Sequence, residues 1–243
     1  MSPRVVIAIT RRVLAQFRGD PRTVALLLGV PPALATLLWL VLDDERVFAR
    51  VGPQLVAIFP FTTMFLVTSI TMLRERTSGT LERLMTLPVS RIDLLAGYQL
   101  AFGIAATVQA TITATIALGP LGLDVGGSPL ALIGSAIVVA QLGTALGLLV
   151  SAFARTEFQA VQFLPLTILP QFLLCGILVP VDQMRSWLEA IARVLPLRWA
   201  VRATEDAVAV GRGSELAVDL LVLLGFILGA LALGAATLRR RTA

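Results

Sequence analysis

The sequence predicts an all-α integral membrane protein. The expected architecture has six transmembrane helices, an N-terminal amphipathic helix in the membrane interface, and short outer-surface helices between spans five and six. Of the 243 residues, 57% are hydrophobic and only 14% are charged, and the mean hydropathy is +0.88. A soluble domain has about 25% charged residues. This chain therefore has too little charge for a water-exposed surface, and its six apolar runs approach the ~20 residues that cross a bilayer as a helix.

The spans are predicted near 23–42, 53–73, 94–118, 129–150, 158–179 and 216–238. No linker to a soluble domain is evident, so residues 1–243 are predicted to form a single transmembrane domain. The first apolar run follows a charged segment and is long enough to span, which argues against a cleavable signal peptide. Pro165 and Pro170 interrupt the fifth span and free backbone carbonyls, which favours a bent helix facing the protein interior.

Residues 4–18 are typical of an amphipathic helix. Val6, Ile9, Val13 and Phe17 recur at helical spacing, and the Arg residues fall on other faces. This pattern predicts a helix in the interface whose Arg side chains reach lipid phosphates. From the residues alone, such a helix either only anchors the chain or has a further role.

The segment 180–215 is too polar to span a membrane. Trp187, Ile191 and Leu195 recur at helical spacing with charged residues between them. This spacing predicts a short amphipathic helix on the outer surface that ends at Pro196, with a second helix over 197–210.

The distribution of Arg predicts the orientation. Thirteen of the 20 basic residues, all of them Arg, fall on the same side as the N-terminus. Positively charged loops favour the cytoplasmic side. We therefore expect a multi-pass protein of the inner or plasma membrane with both termini in the cytoplasm.

Several residue types are missing, and their absence excludes whole classes of chemistry. The chain has no His and a single Cys, Cys175, so His-dependent triads, intrachain disulfides and Cys-cluster metal sites are excluded. It has no Lys and so cannot supply a standard Walker A motif. We predict no catalytic residue and no metal site in this chain. The Arg residues lie at the ends of apolar runs, which indicates membrane topology and no nucleic-acid partner.

The loop at 74–91 is the most informative segment. Residues 75–84 have the pattern Glu-Arg-x-x-Gly-Thr-Leu-Glu-x-Leu. Helix-forming residues run from Gly79 to Leu87, and Pro88 prevents continuation. Leu81, Leu84 and Met85 form an apolar face beside charged residues. Such a helix either docks into a groove on a partner or rests on the membrane surface as a plain connector.

The same loop resembles the coupling helix of ABC-2-type transporter permeases, particularly the drug-exporter branch that includes daunorubicin-resistance permeases. Further strings at the expected places relative to the spans resemble the same family. They are 87–91 (Leu-Pro-Val-Ser-Arg), 151–157 (Ser-Ala-Phe-Ala-Arg-Thr-Glu), 175–180 (Cys-Gly-Ile-Leu-Val-Pro) and 195–200 (Leu-Pro-Leu-Arg-Trp-Ala). Two departures occur: Thr77 and Ser78 stand where the family often has a further acid, and Arg198 is more basic than usual.

The resemblance implies an ABC exporter fold and a separate ABC ATPase subunit that holds ATP and Mg, with no cofactor in this chain. It also implies pairing with a second permease copy or a sister permease. Leu84 and Met85 would insert into the ATPase, Glu82 and Arg83 would pair with charges on its rim, and the N-terminal helix would help to transmit its closure. The implied coupling residues are Glu75, Arg76, Gly79, Thr80, Glu82, Arg83, Leu84, Met85 and Pro88.

Polar residues within the spans are candidates for a substrate path. Thr107, Thr111 and Thr115 share one face of the third span. The fifth span, which faces the transport cavity in the family, adds Gln162, Pro165, Pro170 and Gln171. Such polar stripes either line a path or form interhelical hydrogen bonds.

The sequence thus predicts the permease subunit of an ATP-driven exporter, without an ATPase site of its own. Its expected substrate is an amphipathic drug-, antibiotic- or lipid-like molecule. A membrane scaffold without a transport path is the alternative from another class. A secondary carrier is less favoured because no ionisable residue falls near the predicted midplane of a span.

Overall fold

A computed structural model describes residues 2–42, 44–86 and 89–237, apart from the side chain of Glu82. Throughout this described part the regular elements are helices, with no strand. The all-α prediction is therefore confirmed. The helices are α1 (Pro3–Gly19), α2 (Pro21–Val41), α3 (Glu45–Thr77), α4 (Thr80–Thr86), α5 (Arg91–Leu118), α6 (Pro129–Ser151), α7 (Glu157–Leu174), α8 (Ser186–Val194), α9 (Pro196–Val208) and α10 (Gly213–Thr237).

Polar residues fix where most of the long helices begin. The side chains of Asp20, Asp44, Ser90, Ser128 and Thr156 accept hydrogen bonds from backbone N–H groups in the first turns of α2, α3, α5, α6 and α7. The first N–H groups of a helix have no partner within the helix, and these oxygens supply one. Each cap therefore fixes the residue at which its helix begins.

Within the described residues, five helices are long and apolar enough to cross a membrane: α2, α3, α5, α6 and α10. The predicted fifth span falls on α7, which has 18 residues and is less apolar because it carries Glu157 and three Gln residues. It ends before Gly176, whose φ of 109° is accessible mainly to glycine. The six-span count stays a prediction.

Helices α3, α6 and α7 run between two ends of the bundle. We call these the α4 end, where α3 leads into α4, and the α9 end, where α3 begins and α9 packs. Glu157 at the start of α7 contacts Arg74 at the α4 end. Near the other end of α7, the side chain of Gln171 accepts a hydrogen bond from the backbone of Leu197 in α9. Helix α7 therefore runs between both ends, about 27 Å at 1.5 Å per residue.

The centre of the bundle is a close contact between α3 and α6. A Cβ at Gly147 would lie 2.6 Å from the carbonyl oxygen of Phe65, and one at Gly143 would collide with that of Phe61. Gly143 and Gly147 form one of the two Gly-x-x-x-Gly pairs that lie within helices. In the other pair, Gly225 and Gly229 in α10, a Cβ added at either position would meet no atom within 4 Å. Small residues permit close helix approach, and here only the first pair is used in this way.

The two glycine pairs provide a matched test of this contact. We expect Gly147→Ala to destabilise the protein by about 1–3 kcal/mol, because the added methyl group meets a backbone oxygen that cannot move aside. Gly229→Ala should be neutral or stabilising, since alanine favours the helix by about 1 kcal/mol over glycine. Thermal unfolding in one detergent would measure both. Equal melting temperatures for the two variants would contradict this packing.

Helix α2 contains two consecutive prolines, Pro31 and Pro32, both buried. Proline has no N–H, so Pro31 leaves the carbonyl of Leu27 without its helical partner. The side-chain amide of Gln109 in α5 donates a hydrogen bond to that carbonyl. Gln109 thus repairs the proline break and joins α5 to α2, a role that the sequence prediction did not foresee.

Replacing Gln109 should expose this defect. We expect Gln109→Leu to lower the free energy of unfolding by about 1–3 kcal/mol, because the Leu27 carbonyl is left buried without a donor. Gln162→Leu is the matched control, since Gln162 is exposed on α7. Denaturation of the purified chain in detergent would measure the free energy of unfolding of both variants. A Gln109 variant as stable as its control would contradict this role of the Gln109 hydrogen bond.

Candidate coupling site at the end of α3

The turn between α3 and α4 is tightly defined by its own backbone. The N–H of Ser78 donates to the carbonyl of Arg74 at 2.9 Å, and the N–H of Arg83 donates to the carbonyl of Gly79 at 3.1 Å. Gly79 has a φ of 73°, in the left-handed region that side chains disfavour. Glycine here lets the chain leave α3 and enter α4 within two residues.

Helix α4 turns its apolar side toward the bundle. Leu81 is 2% exposed and belongs to the main hydrophobic core. Leu84 and Met85 are half-buried against the same core, and Thr80 is half-buried, while Arg83 and Thr86 are exposed. A partner would therefore meet Arg83 and the outer edges of Leu84 and Met85. Their insertion into an ATPase stays a prediction, and Pro88 and the Glu82 side chain lie outside the described residues.

Glu75 faces inward and joins α3 to α1. Both of its carboxylate oxygens accept hydrogen bonds from one guanidinium nitrogen of Arg12, at 2.9 and 2.8 Å. Gln16 donates a further bond at 2.8 Å, and Arg12 also donates to the hydroxyl of Tyr98 in α5 at 3.2 Å. The Glu75 side chain is only 8% exposed. The carboxylate is therefore held by α1 and is not presented to a partner.

Arg12 thus has a different environment from the lipid interface predicted for the Arg residues of this helix. Burial works to lower its pKa, but the hydrogen bonds to Glu75 and Tyr98 outweigh burial, so the pKa of Arg12 is raised. Arg12 lies next to buried Val13, at the edge of the apolar face. A long side chain at that edge can reach an acid on the helix below.

Contacts with α5 also hold α1 in place. Gly97 in α5 allows this approach, because a Cβ there would lie 2.7 Å from the side chain of Ile9. The hydroxyl of Thr10 donates to the carbonyl of Gly97 at 3.1 Å. The backbone N–H of Ser2 donates to the buried carboxylate of Asp93 at 3.2 Å. Helix α1 is therefore packed into the protein along its buried face.

The other side of the α3 terminus is tied to α6 and α7. Arg74 donates two hydrogen bonds to the carboxylate of Glu157, at 2.7 and 2.9 Å. This bonding lowers the pKa of Glu157. Arg76 donates to the backbone carbonyl of Ser151 at the end of α6. The residues just before the turn therefore connect α1, α6 and α7 through α3.

The predicted substrate-path residues lie on separate helices. Thr107 and Thr111 donate hydrogen bonds to carbonyls one turn earlier in α5, and Gln141 in α6 donates to the hydroxyl of Thr107 at 3.3 Å. Thr115 is exposed. These bonds for Thr107 and Thr111 lie within the bundle, so their contact with a substrate stays a prediction.

Helix α7 presents a different surface. Gln162 lines a pocket of about 310 Å³ near the α4 end, with Phe153, Arg155, Gln159, Phe163 and Leu166. Pro165 and Pro170 are exposed, and Gln171 is half-buried near the α9 end. Helix α5 packs mainly against α1, α2, α3, α6 and α10, whereas α7 packs mainly against α3, α6, α8 and α9. The Thr stripe and the α7 residues do not form one site within the chain.

Several residues that organise these contacts were missed by sequence reasoning. Arg12, Gln16, Tyr98 and Gln141 each bond to a helix distant in sequence. Gln141 donates to the carbonyl of Gly103 at 2.8 Å and accepts from Gln99 at 3.0 Å. A polar residue in an apolar run signals that some partner exists, but the sequence does not say which one.

These features define a multi-span helical membrane protein with a short, firmly supported helix at one end. The family profile described as ABC-2 type transporter matches residues 4–207. This chain therefore belongs to the ABC-2 type transporter family, which confirms the resemblance found in the sequence motifs.

Named relatives agree with this membership. The chain is 33% identical over 149 residues to the probable multidrug ABC transporter permease YbhR of Escherichia coli K12, covering 61% of this chain and 40% of that protein. It is 29% identical over 141 residues to the linearmycin resistance permease protein LnrN of Bacillus subtilis, covering 58% and 36%. The matched region spans about two fifths of the length of these relatives.

A double-mutant cycle would measure the link between α1 and α3. We expect the Arg12→Met and Glu75→Gln variants to show a coupling energy of about 1–2 kcal/mol, because the pair is mostly buried but partly solvated. Arg74→Met and Glu157→Gln form the matched control, whose exposed ion pair should couple more weakly. Unfolding in detergent provides the readout. A coupling at Arg12–Glu75 no larger than at the control pair would contradict a structural link.

Proposed function

We propose that this chain is the membrane permease subunit of an ATP-driven exporter. It would move an amphipathic drug-, antibiotic- or lipid-like molecule out of the cell. Family membership and relatives named as multidrug and resistance permeases support this assignment. The chain has no Lys for a Walker A motif. ATP and Mg would therefore be bound by a separate ABC ATPase subunit, and this chain would contribute no cofactor or catalytic group.

The observation that carries the proposal is the construction of the α4 end. Helix α4 lies on a glycine-dependent turn, with Leu81 anchored in the core and Arg83 exposed. Immediately before the turn, Glu75, Arg76 and Arg74 bind α1, α6 and α7 respectively. A force that an ATPase exerts on α4 would act on all three helices together, because each is bonded to the same turn of α3.

The coupling surface itself would be small. Arg83, Thr80 and the outer edges of Leu84 and Met85 would meet the ATPase, with Glu82 and Pro88 assigned from the family motif alone. Gly79 would set the angle of the helix. Glu75 and Arg76 would act from within, by positioning the turn. With the orientation predicted from the distribution of Arg, the α4 end and both termini would lie in the cytoplasm, at an inner or plasma membrane.

A second permease copy or a sister permease would complete the transport path. Helix α7 has only two buried residues, Ala160 and Ile168, and its Phe158 and Leu166 are 71% and 68% exposed. A partner or lipid must cover such an apolar surface. In a dimer built around α7, Gln162, Pro165, Pro170 and Gln171 would border the path. Thr107, Thr111 and Thr115 on α5 would line it only after a rearrangement.

The pocket near the start of α7 would provide an entrance for the substrate. It combines Arg155 and Gln162 with Phe153 and Leu166. An amphipathic molecule could place its polar group on the former and its apolar body on the latter. This arrangement favours amphipathic cargo over a small ion.

Co-purification tests the proposal directly. The tagged chain would be extracted from its native membrane in several mild detergents and its companions identified by mass spectrometry. We expect a Walker A subunit in near-equal amount. We also expect Arg83→Glu to reduce its recovery at least about tenfold, because an exposed charge would be reversed at the contact.

The control is Arg46→Glu, the same charge reversal at an exposed residue of the α9 end. This variant should retain the ATPase fully. Stoichiometric recovery with wild type and control but not with Arg83→Glu supports coupling through α4. A well-folded chain without any ATPase in all detergents points to a scaffold, and substrate transport that persists without ATP but needs a proton gradient points to a secondary carrier.

A further inference from the structure

A second pocket lies at the α9 end, far from the coupling site. It has a volume of about 370 Å³ and is formed by the start of α3, the loop after α7, and one face of α9. Its charged and polar lining comes from Arg50, Gln54, Asp182, Arg198, Arg202 and Glu205. Two of these segments, α3 and α9, thus bring three Arg residues to one concave site.

The three guanidinium groups differ in how firmly they are held. In the described part of the chain, the side chains of Arg50 and Arg198 form neither an ion pair nor a hydrogen bond. By contrast, Arg202 contacts the buried carboxylate of Asp219 at 3.3 Å and lies 5.0 Å from the centre of the Trp199 ring. Arg202 is therefore held in place, while Arg50 and Arg198 remain available to a ligand.

The electrostatics of the pocket favour an anion. Burial lowers the pKa of Arg198, and the nearby positive charges of Arg202 and Arg193 lower it further. The lining contains two acids, Asp182 and Glu205, and among the described residues neither forms an ion pair with Arg50 or Arg198. Arg202, by contrast, is already paired with Asp219. The Glu205 carboxylate is also engaged, because it accepts a hydrogen bond from the amide of Gln54 at 3.3 Å. An incoming oxyanion would relieve the crowding of positive charge.

The rest of the lining is apolar. Val51, Ile177, Pro180 and Val181 contribute to the walls, and Val181 is itself buried. Gly176, which also lines the pocket, has a φ of 109° that lets the loop after α7 turn there. Guanidinium groups beside apolar walls suit a molecule in which a phosphate adjoins a hydrocarbon portion. A fully hydrated inorganic ion would leave these walls uncovered.

We infer that the pocket between Arg50 and Arg198 binds the phosphate oxyanion of an amphipathic molecule such as a phospholipid headgroup. Arg198 and Arg50 donate charge-assisted hydrogen bonds to the phosphate oxygens. Arg202, held by Asp219 and Trp199, borders the site. Binding at this site requires neither an ATPase nor transport. This proposal can therefore fail without affecting the proposed export function, and the reverse also holds.

Ligand-induced stabilisation of the purified full chain tests this site. The probes are short-chain dihexanoyl phosphatidylglycerol, dihexanoylglycerol without phosphate, and inorganic phosphate, each titrated in a neutral detergent. We expect the phosphatidylglycerol to raise the melting temperature by several degrees and the dihexanoylglycerol to have no effect. Stabilisation by inorganic phosphate at the same concentrations would support the oxyanion site but identify free phosphate as its source.

Variants identify the residues responsible. Arg50→Gln and Arg198→Gln should each raise the half-saturating concentration by about tenfold, since each removes a charge-assisted hydrogen bond. Arg46→Gln, an exposed Arg one turn earlier in α3, is the matched control and should bind like wild type. Glu205→Gln should bind more tightly, because it removes a negative charge from the pocket. This variant also keeps the test informative if an Arg variant fails to fold.

Three results would overturn the assignment. They are equal stabilisation by dihexanoylglycerol, equal weakening by Arg46→Gln and the two pocket variants, and no change in affinity with Glu205→Gln. Higher salt should also weaken binding if the guanidinium groups hold the phosphate. Affinity independent of salt would argue for purely apolar filling of the pocket.

Discussion

The contact between α3 and α6 at Gly143 and Gly147 is the constraint on which the other features depend. Backbone oxygens of α3 occupy the space where side chains would otherwise project from α6. The two helices therefore cannot slide or separate without losing contact over several turns. Because α3 has 33 residues, about 50 Å of helix, it extends well past a hydrocarbon core of about 30 Å. Fixing its middle on α6 positions both of its ends.

At the α4 end, this fixed helix becomes a junction. Arg74, Glu75 and Arg76 are consecutive, so their side chains leave α3 in different directions and bind three different helices. The turn at Gly79 then redirects the chain into α4, whose Leu81 is buried. Such an arrangement resists independent motion of α4. In the proposed coupling, a displacement of the short helix would act on the turn of α3 to which α1, α6 and α7 are bonded.

At the α9 end, the same helix contributes Arg50 and Gln54 to a charged pocket. The charged groups at the two ends are thus arranged differently. Near α4, Arg12 and Glu75 satisfy one another within the protein. Near α9, Arg50 and Arg198 line a cavity and form no ion pair within the described part of the chain. Polar groups close to a membrane are costly when unpaired, and the second arrangement is the basis of the phosphate site proposed above.

The sequence by itself determined the class of the protein. Its apolar runs and scarce charges required a membrane helix bundle, and proline, glycine and polar caps fixed most helix ends, because these effects act within a few residues. The motif at 75–84 identified the family. Helix α7 was harder to assign, since its Gln residues and Glu157 reduce its apolar character.

Only the tertiary structure decided which polar residues act within the protein and which face outward. Glu75 was expected to belong to the coupling element and Arg12 to reach lipid phosphates, and the two Gly-x-x-x-Gly pairs within the spans were indistinguishable in sequence. The structure buries Glu75 with Arg12, and it packs Gly143 and Gly147 while leaving Gly225 and Gly229 open. The physical reason is that these outcomes depend on contacts between helices dozens of residues apart. Local periodicity shows that a face is apolar or polar, but it does not name the neighbour that the face will meet.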